Sequence, residues 1–278
     1  MPELLSLPFM QRAILAGLVL GVLLSYLGIF VTLRKMAFFS DGIAHAALAG
    51  AAIGLLTRFS PLISALIFSM LLAALIYWLE KKSSLSSDAI IGIMFTSGMA
   101  LGVVLISLRP GYQPELISYL FGNILAIRRI DLAMIIVLAA VILAFIFSHK
   151  RKLTLLALDR EMACMAGINP DHYELLLYIM LACALVLGIR VLGIILVSAI
   201  VIIPVSTARL LSRSFKTLTW LTVLIAEFTI LAGVFLSYFL DLPTGAVIVL
   251  TGSALFSLAF LAASLRRRSL RRGGGEIK

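Results

Sequence analysis

Two residues with metal-binding chemistry, Asp41 and His45, stand four apart in the run Ser40-Asp41-Gly42-Ile43-Ala44-His45-Ala46-Ala47-Leu48-Ala49-Gly50. On a helix that spacing brings a carboxylate and an imidazole to one face, with Cβ atoms about 5–6 Å apart. One such pair is half of a four-coordinate site. Two copies related by a two-fold axis would supply two carboxylate oxygens and two imidazole nitrogens, a set that suits zinc and also takes manganese or iron. The plainer reading is that Asp41 caps a helix N terminus and His45 packs in a helix interface. Spacing alone leaves both open. Glu227 is the other acid deep inside an apolar run, where an acid either makes a structural hydrogen bond or lines a pathway.

The elements that must hold these residues are set by composition. The chain has 278 residues, 62% of them hydrophobic and only 13% charged, which is the make-up of a polytopic membrane protein. Runs of about 18–24 apolar residues, long enough for a ~30 Å bilayer core, fall at 9–33, 37–57, 61–80, 88–108, 130–148, 171–189, 191–211, 217–239 and 244–264. An all-α fold of eight or nine transmembrane helices follows, as a single domain over residues 1–265 with a basic tail at 266–278. The stretch 113–127 is apolar but too short to span, and reads as a re-entrant or interfacial helix. Residues Met1 to Met10 lack a basic start and a small-residue cleavage site, so the first span is expected to stay in the mature chain. Pro204 in the seventh run predicts a kink.

Around Asp41 and His45, the small residues Ala46, Gly50 and Gly54 repeat every four positions. Such a row lets another helix approach closely, so an ion path here would run along a tight helix seam. The net charge of +10 sits between spans and in the tail, the placement of juxtamembrane residues that meet lipid headgroups; nucleic acid is not the partner. Most of the 23 Lys and Arg residues fall in alternate connections once the C terminus is taken as cytoplasmic, and an odd number of spans then puts the N terminus outside. His149 and His172 read as interfacial. Cys164 and Cys183 read as small packing residues.

Between the fifth and sixth spans, Asp159, Arg160 and Glu161 precede Met162, Ala163, Met165 and Gly167, with Asn169-Pro170 beyond. This is a short cytoplasmic helix at about 159–168 closed by Gly and Pro, and it suits a docking element. No His-Glu-x-x-His pair and no phosphate-binding Gly-x-x-x-x-Gly-Lys-Ser/Thr loop is present, so the chain is read as a non-enzyme; if ATP drives it, another subunit binds the nucleotide.

The residues resemble a known family, the membrane subunits of bacterial ABC transporters that import zinc, manganese or iron. The resemblance is carried by Arg34-Lys35-Met36-Ala37-Phe38-Phe39-Ser40-Asp41 through His45-Ala46, by Asp88 through Met94, by Tyr119-Leu120-Phe121-Gly122-Asn123-Ile124-Leu125, and by Gly193 through Ile203-Pro204-Val205-Ser206-Thr207-Ala208-Arg209-Leu210. Its wording is nearest the zinc branch. The resemblance implies an ABC importer permease fold in the bacterial cytoplasmic membrane, a homodimer, a cytoplasmic ATP-binding subunit and an extracytoplasmic metal-binding protein. It implies Zn2+ as cargo, no permanently bound cofactor, and metal coordination by Asp41 and His45. Glu161, Met162, Ala163 and Gly167 are similar to the family's Glu-Ala-Ala-x-x-x-Gly signature for engaging the ATPase, with Met162 in place of the first Ala. Asn123 stands where some zinc-branch members carry Asp. The mechanism implied is that metal released at the outer mouth meets both copies of Asp41 and His45, and that ATP-driven movement of the 159–168 helices opens the site inward. The alternative of another class is a proton-coupled secondary metal transporter, with Asp41 and Glu227 carrying protons.

Overall fold

The computed structural model describes residues 8–108 and 127–273, except for the side chains of Phe9 and of 266–273. The described residues form ten helices: α1 (Pro8–Leu33), α2 (Phe39–Leu56), α3 (Pro61–Lys82), α4 (Ser87–Ser107), α5 (Arg129–Ser148), α6 (Lys150–Leu158), α7 (Arg160–Met165), α8 (Pro170–Leu211), α9 (Phe215–Leu240) and α10 (Thr244–Gly273). Eight are long and apolar enough to cross a membrane. The re-entrant stretch expected at 113–127, with Asn123, lies outside the described residues except for Ile127. The tail is helical as far as Gly273.

Local chemistry starts and stops these helices where the chain must turn. Ser86 accepts a hydrogen bond from the Ala89 N–H at the start of α4, Asn169 from His172 at α8, and Ser214 from Thr217 at α9. Each satisfies a backbone donor that a helix start leaves unpaired. Pro61 and Pro170 occupy first-turn positions, where a missing N–H costs nothing.

α8 carries the largest departure from a simple span. Its 42 residues would measure ~63 Å if straight, twice the bilayer core. The break is at Gly193, with φ 79° and ψ 164°, a region open in practice to glycine alone. A Cβ added to Gly188 would lie 3.0 Å from the Val197 side chain, although nine residues along a straight helix cover ~13.5 Å. The chain therefore folds back on itself, and the two arms of α8 are the sixth and seventh spans read from the sequence. Pro204 keeps helical dihedrals, so the sharp break expected there falls at Gly193 instead. The Thr207 hydroxyl donates to the Ile203 carbonyl at 2.8 Å beside the proline.

Helices α1, α2 and α8 have two thirds or more of their most apolar segment buried, whereas α3, α4, α5, α9 and α10 bury a third or less. The first three are the centre of the bundle and the others its rim. At the closest crossing of α1 and α8, a Cβ on Gly28 would stand 2.0 Å from the Val201 carbonyl oxygen. Leu20, Leu23, Leu24, Leu27 and Phe30 of α1 are fully buried along the same seam. At one end of the bundle, Arg34 and Arg160 pair with Glu174, and Lys81 and Arg160 pair with Asp171. That places the end of α1, the end of α3 and the starts of α7 and α8 on one side, as alternating passes require. At the opposite end, Asp131 at the start of α5 pairs with Arg190 of α8 at 3.1 Å and with Arg128 at 3.4 Å.

Candidate functional site

α2 is an Ala-rich helix whose glycines are spent on close packing. Gly50 and Gly54 face α3, where added Cβ atoms would fall 2.8 Å from the Cα atoms of Ala65 and Pro61. Gly42 meets Ile91 of α4, Ala46 meets Gly98, and Ala49 meets Gly102. The small-residue row is thus filled by α3 and α4 of the same chain, and α2 is sealed on both of those sides.

What stays open is one stripe, spaced every three or four residues: Phe38, Asp41, His45 and Leu48 are all at least partly accessible. Asp41 does not cap the helix. The capping position is Phe38, which makes no side-chain cap bond, and Asp41 stands in the first turn, where its negative charge complements the positive end of the helix dipole. Asp41 has no hydrogen bond or ion pair with a described residue, and the group it acts on electrostatically is His45. The His45 ring lies edge-on to Phe95 of α4 at 5.1 Å. Its Nδ1 is buried without a hydrogen-bond partner among the described residues. A buried ring nitrogen left this way calls for a ligand or a partner group. Among the described residues no third His, Cys, Asp or Glu joins the pair, so a single chain presents two donors from one rigid helix.

Glu227 is not brought to this stripe. It lies on α9 against α1, its Oε1 atom 2.6 Å from where a Cβ on Gly21 would be. That oxygen is buried without a hydrogen-bond partner among the described residues, and the missing side chain of Gly21 is what makes room for it.

The 159–168 segment forms the short α7 as its sequence suggests. The Asp159 carboxylate accepts hydrogen bonds from the Glu161 and Met162 N–H groups at 2.9 and 3.0 Å. At the other end Gly167 has φ 73°, and the Ile168 and Gly167 N–H groups donate to the carbonyls of Ala163 and Cys164. This is the paired closure that a left-handed residue after a helix permits. Ala163 is fully buried beneath the turn, while Met162, Met165 and the preceding Leu158 are more than half exposed. An apolar knob on a rigid turn is a docking surface in form. Glu161 and Gly167 stand exposed beside it.

The remaining histidines take structural places. His149 Nδ1 is 3.0 Å from the Phe145 carbonyl and its ring stacks on Phe145, and His172 meets Tyr173 edge-on. Sequence reading missed the polar cluster at the Arg34 end of the bundle. Its trace was present in the like-charged pair Asp171 and Glu174 on one helix face, which needs cations from elsewhere.

The family model described as "ABC 3 transport family" matches residues 6–263. The manganese transport system membrane protein MntC of Halalkalibacterium halodurans is 35% identical over 258 residues, covering 93% of this chain and 88% of that protein. The high-affinity zinc uptake system membrane protein ZnuB of Haemophilus influenzae is 32% identical over 247 residues, covering 89% of this chain and 95% of that protein. Among solved structures, PsaBC from Streptococcus pneumoniae in complex with a Fab superposes with a TM-score of 0.82 at 31% identity, covering 93% of each chain.

Proposed function

We propose a function from one premise: the chain belongs to the ABC 3 transport family. It is the transmembrane permease subunit of a bacterial ABC importer for a divalent metal cation, a transport component and not an enzyme. Residues 1–265 act as one permease domain in the cytoplasmic membrane, with the basic tail at 266–278 on the inside. Two copies form the working unit, each binding a cytoplasmic ATPase through α7, with Glu161, Ala163 and Gly167 shaping the contact. An extracytoplasmic metal-binding protein delivers the ion.

The observation that carries the cargo reading is the open stripe of α2. Asp41 and His45 sit together on the partly accessible stripe of α2, with the His45 ring edge-on to Phe95, and the imidazole has a buried nitrogen without a partner among the described residues. Two copies supply a carboxylate and a neutral imidazole each, a borderline-soft set that takes manganese, iron or zinc. Relatives named for manganese transport outnumber the one named for zinc, so manganese is the first cargo and zinc, the ion favoured by the motif wording, the second. With the C terminus inside, the first turn of α2 lies toward the cytoplasmic end. The ligands then stand near the exit of the path, deeper than the outer mouth where delivery begins.

The test is ATP-driven uptake of radiolabelled Mn2+ and Zn2+ into proteoliposomes holding the permease and its ATPase. Asp41→Ala and His45→Ala should each lower uptake of the cargo ion by tenfold or more, on the order of a lost charged ligand contact, while the complex still assembles. Wild-type uptake by both variants removes the site.

A further inference from the structure

At the Arg34 end of the bundle, charges that face neither lipid nor the open stripe of α2 are linked in one chain of contacts. Glu174, on the second turn of α8 and only 5% exposed, is approached on one oxygen by two guanidinium groups. Arg34 Nη2 stands 3.2 Å from it and Arg160 Nε 3.4 Å. Arg160 is the first residue of α7, and its Nη2 also donates to Asp171 at 3.0 Å. Asp171 is held in turn by Tyr77 and Lys81 at the end of α3. Arg34 lies in the turn between α1 and α2.

The chain continues from Arg34 into α2. The Arg34 guanidinium lies over the Tyr178 ring, 5.6 Å from its centroid. The Tyr178 hydroxyl donates to Glu80, and its ring meets Phe39 edge-on at 5.1 Å. Phe39 is fully buried and begins α2, in the same turn as Asp41. Contacts thus run from α7 to the first turn of α2 through four side chains, Glu174, Arg34, Tyr178 and Phe39.

Two atoms of this cluster are idle. Arg34 Nη1 and Glu80 Oε1 are buried with no hydrogen-bond partner among the described residues. They carry opposite charge, and both belong to side chains that touch Tyr178. Arg34 is paired with Glu174, which it shares with Arg160, and lies over the Tyr178 ring whose hydroxyl binds Glu80.

We propose that Arg34, Glu174 and Arg160 are positioning residues that couple α7 to the α2 ligands, with Glu174 joining the two guanidinium groups through one oxygen. When α7 moves off and takes Arg160 with it, Glu174 is left to Arg34 alone, and Tyr178 and Phe39 carry the change to the first turn of α2. The inference rests on the docking role given to α7 above.

The experiment measures ATP hydrolysed per Mn2+ imported, using the full chain purified from its native membrane together with its ATPase and reconstituted in proteoliposomes. Arg160 is half exposed, so Arg160→Ala is the variant least able to harm folding. It should leave assembly and ATP hydrolysis near wild type and raise the ATP cost per ion about tenfold, within the range of ordinary allosteric coupling. Glu174→Gln should do the same, and Arg160→Lys, which keeps the charge but loses the fork that spans Asp171 and Glu174, should fall between. A structural role alone would lower hydrolysis and uptake in parallel, leaving the ratio unchanged, and that result overturns the proposal. A wild-type complex that imports neither Mn2+ nor Zn2+ with ATP overturns the functional reading together with this inference; a coupled wild type with an unchanged Arg160→Ala ratio overturns this inference alone.

Discussion

Gly98 and Gly92 lie on the same helix, two turns apart, and replacing each with alanine separates packing from helix propensity. A Cβ at 98 would sit 2.7 Å from Ala46 Cβ and 3.2 Å from Ala46 Cα, whereas a Cβ at 92 meets nothing within 4 Å. Carbon atoms rest at about 3.5–4.0 Å, so Gly98→Ala demands roughly 1 Å of separation between α4 and α2 at that contact. α2 cannot retreat, because Gly50 already brings it against Ala65 and Phe68 of α3. Overpacking of this kind costs about 1–3 kcal/mol. Both variants gain the same intrinsic helix term of about 1 kcal/mol, which cancels when they are compared. Gly98→Ala should therefore be less stable than Gly92→Ala by about 1–3 kcal/mol, read as a lower thermal midpoint of the purified complex. The functional effect should be larger than the stability effect suggests. Ala46 follows His45, and a retreat of α4 carries Phe95 away from the His45 ring, while a binding constellation tolerates only about 0.5 Å of misplacement. Mn2+ uptake by Gly98→Ala should fall well below that of Gly92→Ala. Equal midpoints and equal uptake for the two would refute the claim that the α2–α4 seam is closed to a methyl group.

Three further outcomes follow from the geometry. Gly193→Ala forces an L residue into a backbone region costing about 1–3 kcal/mol; a lowered thermal midpoint is expected, and an unchanged one would mean α8 does not reverse at that residue. Ala163→Glu places a carboxylate where the side chain is fully buried beneath α7, so the ATPase should no longer co-purify, and retained co-purification with normal coupling counts against α7 as the docking element. Glu227→Gln preserves the shape that fills the space above Gly21 and should import Mn2+ at the wild-type rate; a loss as deep as that of Asp41→Ala would put Glu227 in the ion path.

The spans were legible because each is a long apolar run bounded by a residue that can end or begin a helix. The run 61–80 became Pro61–Lys82 and the run 217–239 became Phe215–Leu240, with the differences confined to end turns where capping decides. The Asp41 and His45 pair was legible as a pair on one face, since helical spacing is a local property. Its surroundings were less so. Ser40-Asp41 looks like a cap in one dimension, yet the preceding turn, with Lys35 at φ 58° and the Met36 N–H on the Val31 carbonyl, starts the helix earlier. The cluster of Arg34, Glu80, Arg160, Asp171 and Glu174 was not legible because its members come from four separate parts of the chain, and only packing of α1, α3 and α8 decides which charge meets which. The same holds for Asp131 and Arg190.

The packing of α2 limits how a metal ion can be released. Conduction needs a site that binds well enough to admit the ion and loosely enough to let it go. On a rigid helix Asp41 and His45 cannot separate from each other, so the pair is gained or lost as a unit. Gly42, Ala46, Ala49, Gly50 and Gly54 lock α2 to α3 and α4 at backbone contact distance, and a bend of α2 alone would open all of these contacts at once. The motion that costs least carries α2, α3 and α4 together. In the two-copy site proposed above, such a motion would remove two of four donors in one step, a far larger change in affinity than any rotamer shift of one side chain. It follows that stiffness in the α2–α3–α4 unit favours release, and that a variant which loosens the seam, such as Gly98→Ala, should import the ion more slowly, because its α2 no longer moves with its neighbours.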